Sequence, residues 1–392
     1  MTARQWSIVW LCVLLNFNDG IDVLALSFSA TDIMKEWGLD KSSMGYAFSA
    51  GLLGMMAGSL FLAPWGDRIG RKKIFFLSLI LISSGMLGVA GSTSYPMLLA
   101  CRLLTGFGIG GLLPAMAAVA AEHSNEKWRD FNVGLVQGGW PIGAILIGFI
   151  CAWAIPTHGW RSIYAIAGAF SLLMLIAVAL IMKEERGTFS KSTALPLRAL
   201  LQPAFRRSTL LIWLAIFFGF FTMYTLISWT PAVVREAGLD FRQGTIAGIL
   251  FNLGAAIGTI SLGAVAKLPG MSIKKAVLSF LLIAVGMLTV YGTMDLGASL
   301  IFLLVTAFGI FVQGGFNGIY AIGSRVYPKW IRTTGVGLAI GIGRLGAVLG
   351  PTVFGKLADG GISIQHLFLL FALPLLVMMT CVFLLRTDTF AE

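Results

Sequence analysis

Long uninterrupted apolar segments constrain the fold of this chain more than any other feature. Reading runs of about 20 residues as membrane-crossing segments, we find twelve of them in the sequence. A bilayer offers the backbone no hydrogen-bond partners, so such segments must be helices. The runs cover residues 6–28, 42–64, 74–91, 95–121, 131–155, 160–182, 208–234, 245–266, 273–293, 298–323, 333–357 and 363–385. The sequence therefore predicts an all-α membrane protein with twelve transmembrane helices.

Composition supports this interpretation and disfavours several classes of site. The chain is 57% hydrophobic and 11% charged, whereas soluble domains carry roughly a quarter charged residues. Its four cysteines lie in apolar runs without a CxxC pair, and its three histidines lack metal-ligand spacing. We therefore expect neither a disulfide framework nor a metal site. No nucleophile–base set or nucleotide-binding loop is recognisable, so we predict a protein that is not an enzyme and uses no cofactor.

One polar segment divides the chain into two predicted halves. Residues 183–207 are rich in Lys, Arg, Ser and Pro, and we interpret them as a cytoplasmic linker between six-helix bundles at 1–182 and 208–392. The halves repeat a pattern, because glycines follow Arg129 and Arg332 at the same offsets. They are Gly134, Gly138 and Gly143 in the first half, and Gly337, Gly341 and Gly346 in the second. Repeated halves are typical of carriers that alternate about a central site.

The basic residues predict the orientation. Most of the 28 lysines and arginines fall in segments on the same side as the N-terminus. Because cytoplasmic loops carry the excess of positive charge, we predict that both termini are cytoplasmic and that the protein lies in the cytoplasmic (inner) membrane. These loops also account for the net charge of +11, so nucleic acid is not an expected partner. A monomer is expected. The alternative that residues 6–15 are the core of a signal peptide followed by a polar tail is disfavoured by the eleven later runs.

Two carboxylates, Asp19 and Asp22, interrupt the first apolar run. Charge at membrane depth is costly unless it faces a partner or a cavity, so such residues are functional candidates. With Asn16 they recur every three residues, near one helix face, and Ser29 falls close to the same stripe. Close carboxylates disfavour each other's ionisation, so at least one is a candidate proton carrier. Arg102 lies between them in depth, ~10 Å from the end of its run. We expect an exchangeable ion pair there, with a fixed salt bridge as the alternative.

Arg344 is the other basic residue inside a run. It lies ~17 Å from the inner end of that run, near the middle of a ~30 Å hydrocarbon core. A guanidinium can hold a carboxylate through two parallel hydrogen bonds. We therefore predict that Arg344 binds a substrate carboxylate, with a fixed salt bridge as the alternative. Uncharged residues complete the predicted substrate site: Trp140, Tyr224, Tyr320, Gln137, Gln313 and Asn317. For the polar amides, interhelical hydrogen bonding is the alternative role.

The segment between the second and third runs resembles the loop motif of the major facilitator superfamily. It reads Gly66-Asp67-Arg68-Ile69-Gly70-Arg71-Lys72-Lys73. Glu122 and Arg129, after the fourth run, resemble the acid–arginine pair of that superfamily. The resemblance implies two six-helix bundles that work by alternating access, and a cytoplasmic gate formed by Asp67, Arg71, Glu122 and Arg129. The corresponding segment of the second half, 267–275, keeps its bases but has no acid, so we expect a weaker latch there.

Three shorter segments resemble the aromatic acid:proton symporter family within that superfamily. They are Asp19-Gly20-Ile21-Asp22, Ser228-Trp229-Thr230-Pro231, and 327–335 running into Gly341-Ile342-Gly343-Arg344. The resemblance implies proton-coupled import of a small organic acid, an aromatic carboxylate of the benzoate or hydroxybenzoate type. A non-aromatic mono- or dicarboxylate such as a ring-cleavage product, and proton-driven efflux, remain alternatives. A receptor that does not transport is disfavoured because no sizeable soluble segment is present.

Overall fold

The computed structural model describes the backbone of residues 1–183, 200–236, 238–293, 298–327 and 329–385. Inside these ranges the side chains of residues 67–68, 130, 298–299, 324, 329–330, 332–334 and 364–365 are not described. The side chain of the predicted gate residue Asp67 and most of the predicted linker 183–207 thus lie outside the described residues. All regular secondary structure in the described ranges is helical, which confirms the predicted all-α fold.

Twelve of the described helices are long and apolar enough to cross a membrane, as predicted. The chain forms two compact units, Met1–Lys191 and Ser192–Glu392. The first unit contains α1 (Ala3–Trp37), α2 (Lys41–Ala57, continued by a π-helical turn Gly58–Leu62 and by Ala63–Ile69), α3 (Arg71–Ala90), α4 (Tyr95–Glu122), α5 (Glu126–His158) and α6 (Arg161–Ile181). The second contains α7 (Pro203–Glu236), α8 (Phe241–Val265), α9 (Ile273–Thr293), α10 (Ala298–Phe308, a π-helical turn Gly309–Gln313 and Gly314–Val326), α11 (Lys329–Asp359) and α12 (Ile364–Leu370 and Ala372–Leu384).

Several helices extend past the apolar runs from which they were predicted. α1 continues beyond residue 28 to Trp37, and α7 begins at Pro203, inside the predicted linker. An apolar run is bounded by hydropathy, whereas a helix ends where its terminal groups are capped. α1 ends at Gly38, whose φ of 62° suits a glycine and whose N–H bonds to the carbonyl of Met34. α2 begins at Lys41 after the N-cap residue Asp40, and the hydrogen bonds that the Asp40 carboxylate accepts from Ser43 lower the pKa of Asp40.

The two units repeat one packing scheme. In the first, α1 packs against α5, α2 against α4, and α3 against α4 and α6. In the second, α7 packs against α11, α8 against α10, and α9 against α10 and α12.

A lysine at the start of the third helix of each unit also takes an equivalent position. Lys72 at the start of α3 donates to the carbonyl of Ala179 at 3.0 Å near the end of α6, and Lys274 at the start of α9 donates to that of Leu385 at 2.6 Å after α12. Each therefore satisfies a carbonyl that the helix leaves unpaired.

The repeated glycines take repeated positions. A Cβ added at Gly143 would lie 2.6 Å from the carbonyl oxygen of Phe17, where α5 crosses α1. A Cβ added at Gly346 would lie 2.1 Å from that of Phe217, where α11 crosses α7. The remaining glycines of the pattern have open space around a Cβ; they are Gly134, Gly138, Gly337 and Gly341. The sequence repeat thus corresponds to one close helix crossing in each unit.

Glycines also bring α4 against α2. A Cβ at Gly106 would lie 2.0 Å from the carbonyl oxygen of Gly51, and one at Gly110 would lie 2.1 Å from that of Met55. Backbones this close leave no room for a side chain, which is the packing expected of small residues spaced four apart in membrane helices. The crossing places the N-terminal half of α4, including Arg102, beside α1 and α2.

Candidate functional site

Asp22 and Arg102 form a buried ion pair between α1 and α4. One guanidinium nitrogen, Nη1, donates to the Asp22 carboxylate oxygen Oδ1 and lies 3.5 Å from the Asp22 carbonyl oxygen. The side chain of Asp22 is 0% exposed and that of Arg102 is 3% exposed. The structure therefore joins two of the three residues that the sequence predicts for proton coupling. A pair so deeply buried is held by its mutual attraction, since either charge alone would be uncompensated.

The pair leaves hydrogen-bonding capacity unused. Asp22 Oδ2 and Arg102 Nε are buried and have no hydrogen-bond partner among the described residues. Space for the guanidinium is provided by Gly51 of α2, because a Cβ at that position would lie 2.6 Å from Arg102 Nη2. Buried polar atoms are normally satisfied, and exceptions concentrate where a group changes partner or protonation. The ion pair thus keeps two buried polar atoms that have no partner among the described residues.

The other polar residues of α1 anchor the helix. Asn16 donates to the carbonyl of Val136 on α5 at 2.8 Å, and Asn18 accepts from the hydroxyl of Ser171 on α6. Asp19, the third predicted coupling residue, is buried at 6% exposure, one turn before Asp22. The carboxylates thus lie on a helix that hydrogen bonds hold against two neighbours, so their positions are well defined.

A pair of buried hydroxyls lies two turns beyond Asp22 along α1. The Oγ of Ser29 and the phenolic oxygen of Tyr164, on α6, are 3.1 Å apart, and neither side chain is exposed. Ser29 also donates to the carbonyl of Ala25 at 2.7 Å. Sequence reasoning missed Tyr164 altogether. The available signal was the spacing of Ser29 from Asp22, which puts both on one face of α1.

In the second unit, Arg344 lies beside aromatic rings. Its guanidinium carbon is 6.0 Å from the ring centre of Phe220 on α7. The Phe220 ring lies 5.7 Å from that of Tyr224 and 4.8 Å from that of Phe316 on α10, and Phe316 lies 5.4 Å from Tyr320. Three predicted substrate residues, Arg344, Tyr224 and Tyr320, therefore meet in one aromatic cluster. Arg344 and Tyr224 both interact electrostatically with Tyr320.

Phe220 and Phe316 were not predicted for the site. Each precedes a predicted tyrosine by four residues, Tyr224 and Tyr320 respectively, and residues four apart share a helix face. Phenylalanines are frequent in this chain, 28 in all, so that spacing alone could not select these two. Their position next to the half-buried Arg344 is a product of the α7–α10–α11 packing.

The predicted amides form a small hydrogen-bonded set. Gln313 donates to Asn317 at 3.0 Å, and Asn317 donates to Thr259 of α8 at 2.8 Å. Gln313 closes the π-helical turn of α10, and its side-chain oxygen is buried without a hydrogen-bond partner among the described residues. π-helical turns within α-helices are frequent at functional sites. The hydrogen bond from Asn317 to Thr259 is of the interhelical type given above as the alternative role of the amides. The side-chain oxygen of Gln313 is an acceptor that this set does not use.

The remaining predicted substrate residues belong to the first unit. Trp140 is half-buried on α5, and its backbone oxygen would lie 2.2 Å from a Cβ at Gly20, next to Asp19. Gln137, three residues earlier, is exposed. The structure therefore places Trp140 where α5 touches the carboxylate segment of α1.

Among the predicted gate residues whose side chains are described, Arg71 and Glu122 form an ion pair. Their side-chain atoms are 3.0 Å apart, with the side chains 24% and 48% exposed, and they join the start of α3 to the end of α4. Arg129 is exposed at the start of α5. Exposed ion pairs contribute about 0–1 kcal/mol, so this contact is weak enough to break during a conformational change.

Comparison with known proteins identifies the family. The profile of the Major Facilitator Superfamily matches residues 9–329. The 3-(3-hydroxy-phenyl)propionate transporter of Escherichia coli (strain K12) is 36% identical, over 98% of this chain and 95% of its own. The gallate transporter of Pseudomonas putida is 31% identical, over 95% of this chain and 90% of its own. The crystal structure of a bacterial homologue of the human lysosomal transporter Spinster has a TM-score of 0.79 at 18% identity, over 98% and 97% of the two chains, and shows a shared fold. The chain belongs to the Major Facilitator Superfamily.

Proposed function

We propose that this protein is a proton-coupled symporter that imports a small aromatic carboxylate by alternating access. The observation that carries the proposal is the cluster around Arg344, in which a cation inside a membrane helix lies against a set of aromatic rings. Such a cluster offers complementary contacts to both parts of an aromatic acid. No covalent change to the substrate is part of this function.

The carboxylate and the ring would take different partners. Arg344 would hold the carboxylate through two parallel hydrogen bonds, which the planar guanidinium favours. Phe220 and Phe316 would stack against the ring in edge or offset geometry. The hydroxyls of Tyr224 and Tyr320 would meet polar substituents of that ring. Support comes from the two relatives, because both of their named substrates are aromatic acids with ring hydroxyls.

Further predicted contacts extend this proposal. Gln313 and Asn317 would bind ring hydroxyls, since the unused oxygen of Gln313 is an acceptor two turns before Tyr320 on the same face of α10. Trp140 and Gln137 are proposed as contacts supplied by α5. Each of these assignments is secondary to that of Arg344, because none of them supplies the charge that an acid requires.

Proton coupling would reside in the first unit. Asp22 would accept the proton, Asp19 would share that role, and Arg102 would exchange partners as the carboxylates change charge. The supporting observation is that Asp22 and Arg102 are buried as a pair with unused hydrogen-bonding atoms. When a proton binds, the attraction that holds Arg102 to Asp22 is lost, so protonation becomes a change in the contact between α1 and α4.

The same proposal includes the organisation of the chain in the membrane. Two six-helix bundles, 1–182 and 208–392, would be joined by a cytoplasmic linker at 183–207. Both termini would be cytoplasmic in an inner membrane, and the protein would act as a monomer. Asp67, Arg71, Glu122 and Arg129 would close the cytoplasmic side, and the exposed pair of Arg71 and Glu122 supports this role.

Uptake into proteoliposomes tests the proposal. The full-length protein would be given labelled 3-(3-hydroxyphenyl)propionate, gallate, benzoate, cyclohexanecarboxylate or adipate, with and without an inward proton gradient. We expect gradient-driven accumulation of the aromatic acids, and little of the saturated ring acid or of the aliphatic diacid. Preferential accumulation of adipate would instead indicate a non-aromatic acid carrier. Accumulation that does not depend on the gradient would exclude proton symport.

A further inference from the structure

The buried hydroxyl pair of Ser29 and Tyr164 has no part in the mechanism proposed so far. The two oxygens are 3.1 Å apart, with both side chains at 0% exposure. Ser29 already donates to the carbonyl of Ala25 at 2.7 Å, so Tyr164 supplies the proton of the bond between the two. The lone pairs of the phenolic oxygen are then available to another donor.

The ion pair and the hydroxyl pair share a helix, since Asp22 and Ser29 are seven residues apart on one face of α1. α1 packs against both α4, which carries Arg102, and α6, which carries Tyr164. The Tyr164 hydroxyl interacts electrostatically with Arg102 of α4 and Asp22 of α1, and with the thiol of Cys151 on α5. The ion-pair partner of Asp22 in the structure is Arg102. The guanidinium of Arg102 is therefore the group best suited to donate a hydrogen bond to the phenolic oxygen.

The direction in which the Arg102 side chain leaves α4 is toward the side of the unit that holds the hydroxyl pair. Arg161 at the start of α6 binds Glu36 near the end of α1 at 2.8 Å and the carbonyl of Ser92, just before α4, at 3.0 Å. The end of α1 and the starts of α4 and α6 are therefore on one side of the unit. Helical side chains lean toward the N-terminus of their helix, so Arg102 leans toward this side. Ser29 and Tyr164 lie on it, beyond Asp22.

A buried arginine needs an acceptor in every state of the carrier. Its guanidinium does not lose its proton, and leaving it unpaired in a dry environment is strongly unfavourable. In the structure its acceptor is the carboxyl group of Asp22, which is charged as long as no proton is bound. Once Asp22 is protonated, that bond loses its charge assistance, and a neutral acceptor nearby becomes competitive.

We infer that Tyr164 and Ser29 form a neutral acceptor that takes over Arg102 when Asp22 is protonated. This inference rests on the proposed proton coupling and adds two positioning residues to it. The hydroxyl pair stabilises the protonated form of the carrier, because it satisfies Arg102 in that form. It therefore sets the pH at which the carrier loads its proton.

Tyr164→Phe tests this role, because it removes the hydroxyl and keeps the ring. In proteoliposomes, the initial rate of uptake of labelled 3-(3-hydroxyphenyl)propionate is measured against external pH. Without the phenolic oxygen the protonated form is less stable, so the midpoint of the profile should move to lower pH by about one unit, the equivalent of one hydrogen bond to a charged group. Ser29→Ala should shift it in the same direction by less. Substrate exchange at low pH should survive in both variants.

Tyr291→Phe is the matched control. It removes the hydroxyl of another buried tyrosine, on α9, whose surroundings are the rings of Phe308 and Phe368. Its midpoint should stay at the wild-type value. If Tyr164→Phe transports and keeps that value too, the inference is wrong. If Tyr164→Phe yields no folded protein, Ser29→Ala decides by the same criterion.

Asp22→Asn separates this inference from the proposed function. If that variant still accumulates substrate in response to a proton gradient, the proposed coupling itself fails. If it loses accumulation while Tyr164→Phe and Ser29→Ala keep the wild-type midpoint, the coupling stands and only the role of the hydroxyl pair is refuted.

Discussion

Removing one partner of the Asp22–Arg102 pair should destabilise the protein far more than removing both. Asp22→Leu leaves a permanently charged guanidinium in a site where the side chain of Arg102 is 3% exposed. Breaking a buried ion pair from one side costs about 3–5 kcal/mol, whereas replacing both partners by apolar residues of similar size is often neutral. We therefore expect Asp22→Leu and Arg102→Met each to lower the free energy of unfolding by about 3–5 kcal/mol. The double variant should recover most of that stability.

In this double-mutant cycle, stability and transport should respond differently. Stability is measured as the denaturation midpoint of detergent-solubilised protein, and function as gradient-driven uptake in proteoliposomes. The double variant should approach the wild type in stability yet accumulate no substrate, because it has no carboxylate at position 22 to carry the proton. A coupling energy near zero between the two positions would show that the charges do not interact, and the reasoning would fail. Restored uptake in the double variant would equally refute the assigned role of Asp22.

Three further outcomes are expected. Arg344→Lys should keep the charge but weaken binding of an aromatic acid markedly, and Arg344→Ala should nearly abolish it in an equilibrium binding assay; unchanged affinity in the alanine variant would remove Arg344 from the site. Arg71→Glu should shift the carrier toward the inward-facing state, reported by thiol labelling of single cysteines on the two faces, and adding Glu122→Arg should reverse the shift. Labelling that both single and double changes leave unaltered would exclude the gate. Gly51→Ala should displace the buried guanidinium, since the new methyl would lie 2.6 Å from it, and should reduce proton-driven uptake. Gly134→Ala, which meets open space, is its control, and equal uptake by the two would argue against this placement.

Helix number and type could be predicted because they depend on local properties. A bilayer-length apolar run has one low-energy backbone solution, and all twelve runs have a helix in the structure. Helix ends could not be predicted as well, because they depend on caps. The end of α1 is at Trp37, where Gly38 takes a positive φ, and not at the last apolar residue of the run.

Candidate residues inside the runs were also visible in the sequence. A charge within an apolar run is conspicuous whatever surrounds it, which is why Asp19, Asp22, Arg102 and Arg344 could be selected. Depth along a helix follows from the rise per residue, and it was sufficient to suggest that Arg102 and the first-run carboxylates are within reach of each other. The roles assigned to these residues stay predictions.

Apart from the pair of Asp22 and Arg102, the partners were decided by the tertiary structure. Glu122 is seven residues from Arg129 along the chain, yet it binds Arg71 at the start of α3. Tyr164 contacts Ser29 although the two helices are distant in sequence. In the same way, Phe220 lies beside Arg344 and contacts Phe316 of another helix. Which side chains touch across a crossing depends on the rotation of each helix about its axis and on how closely glycines let the backbones approach. Both are set by the packing of the whole bundle, so the sequence by itself determined which residues are available for chemistry, and only the tertiary structure decided which of them meet.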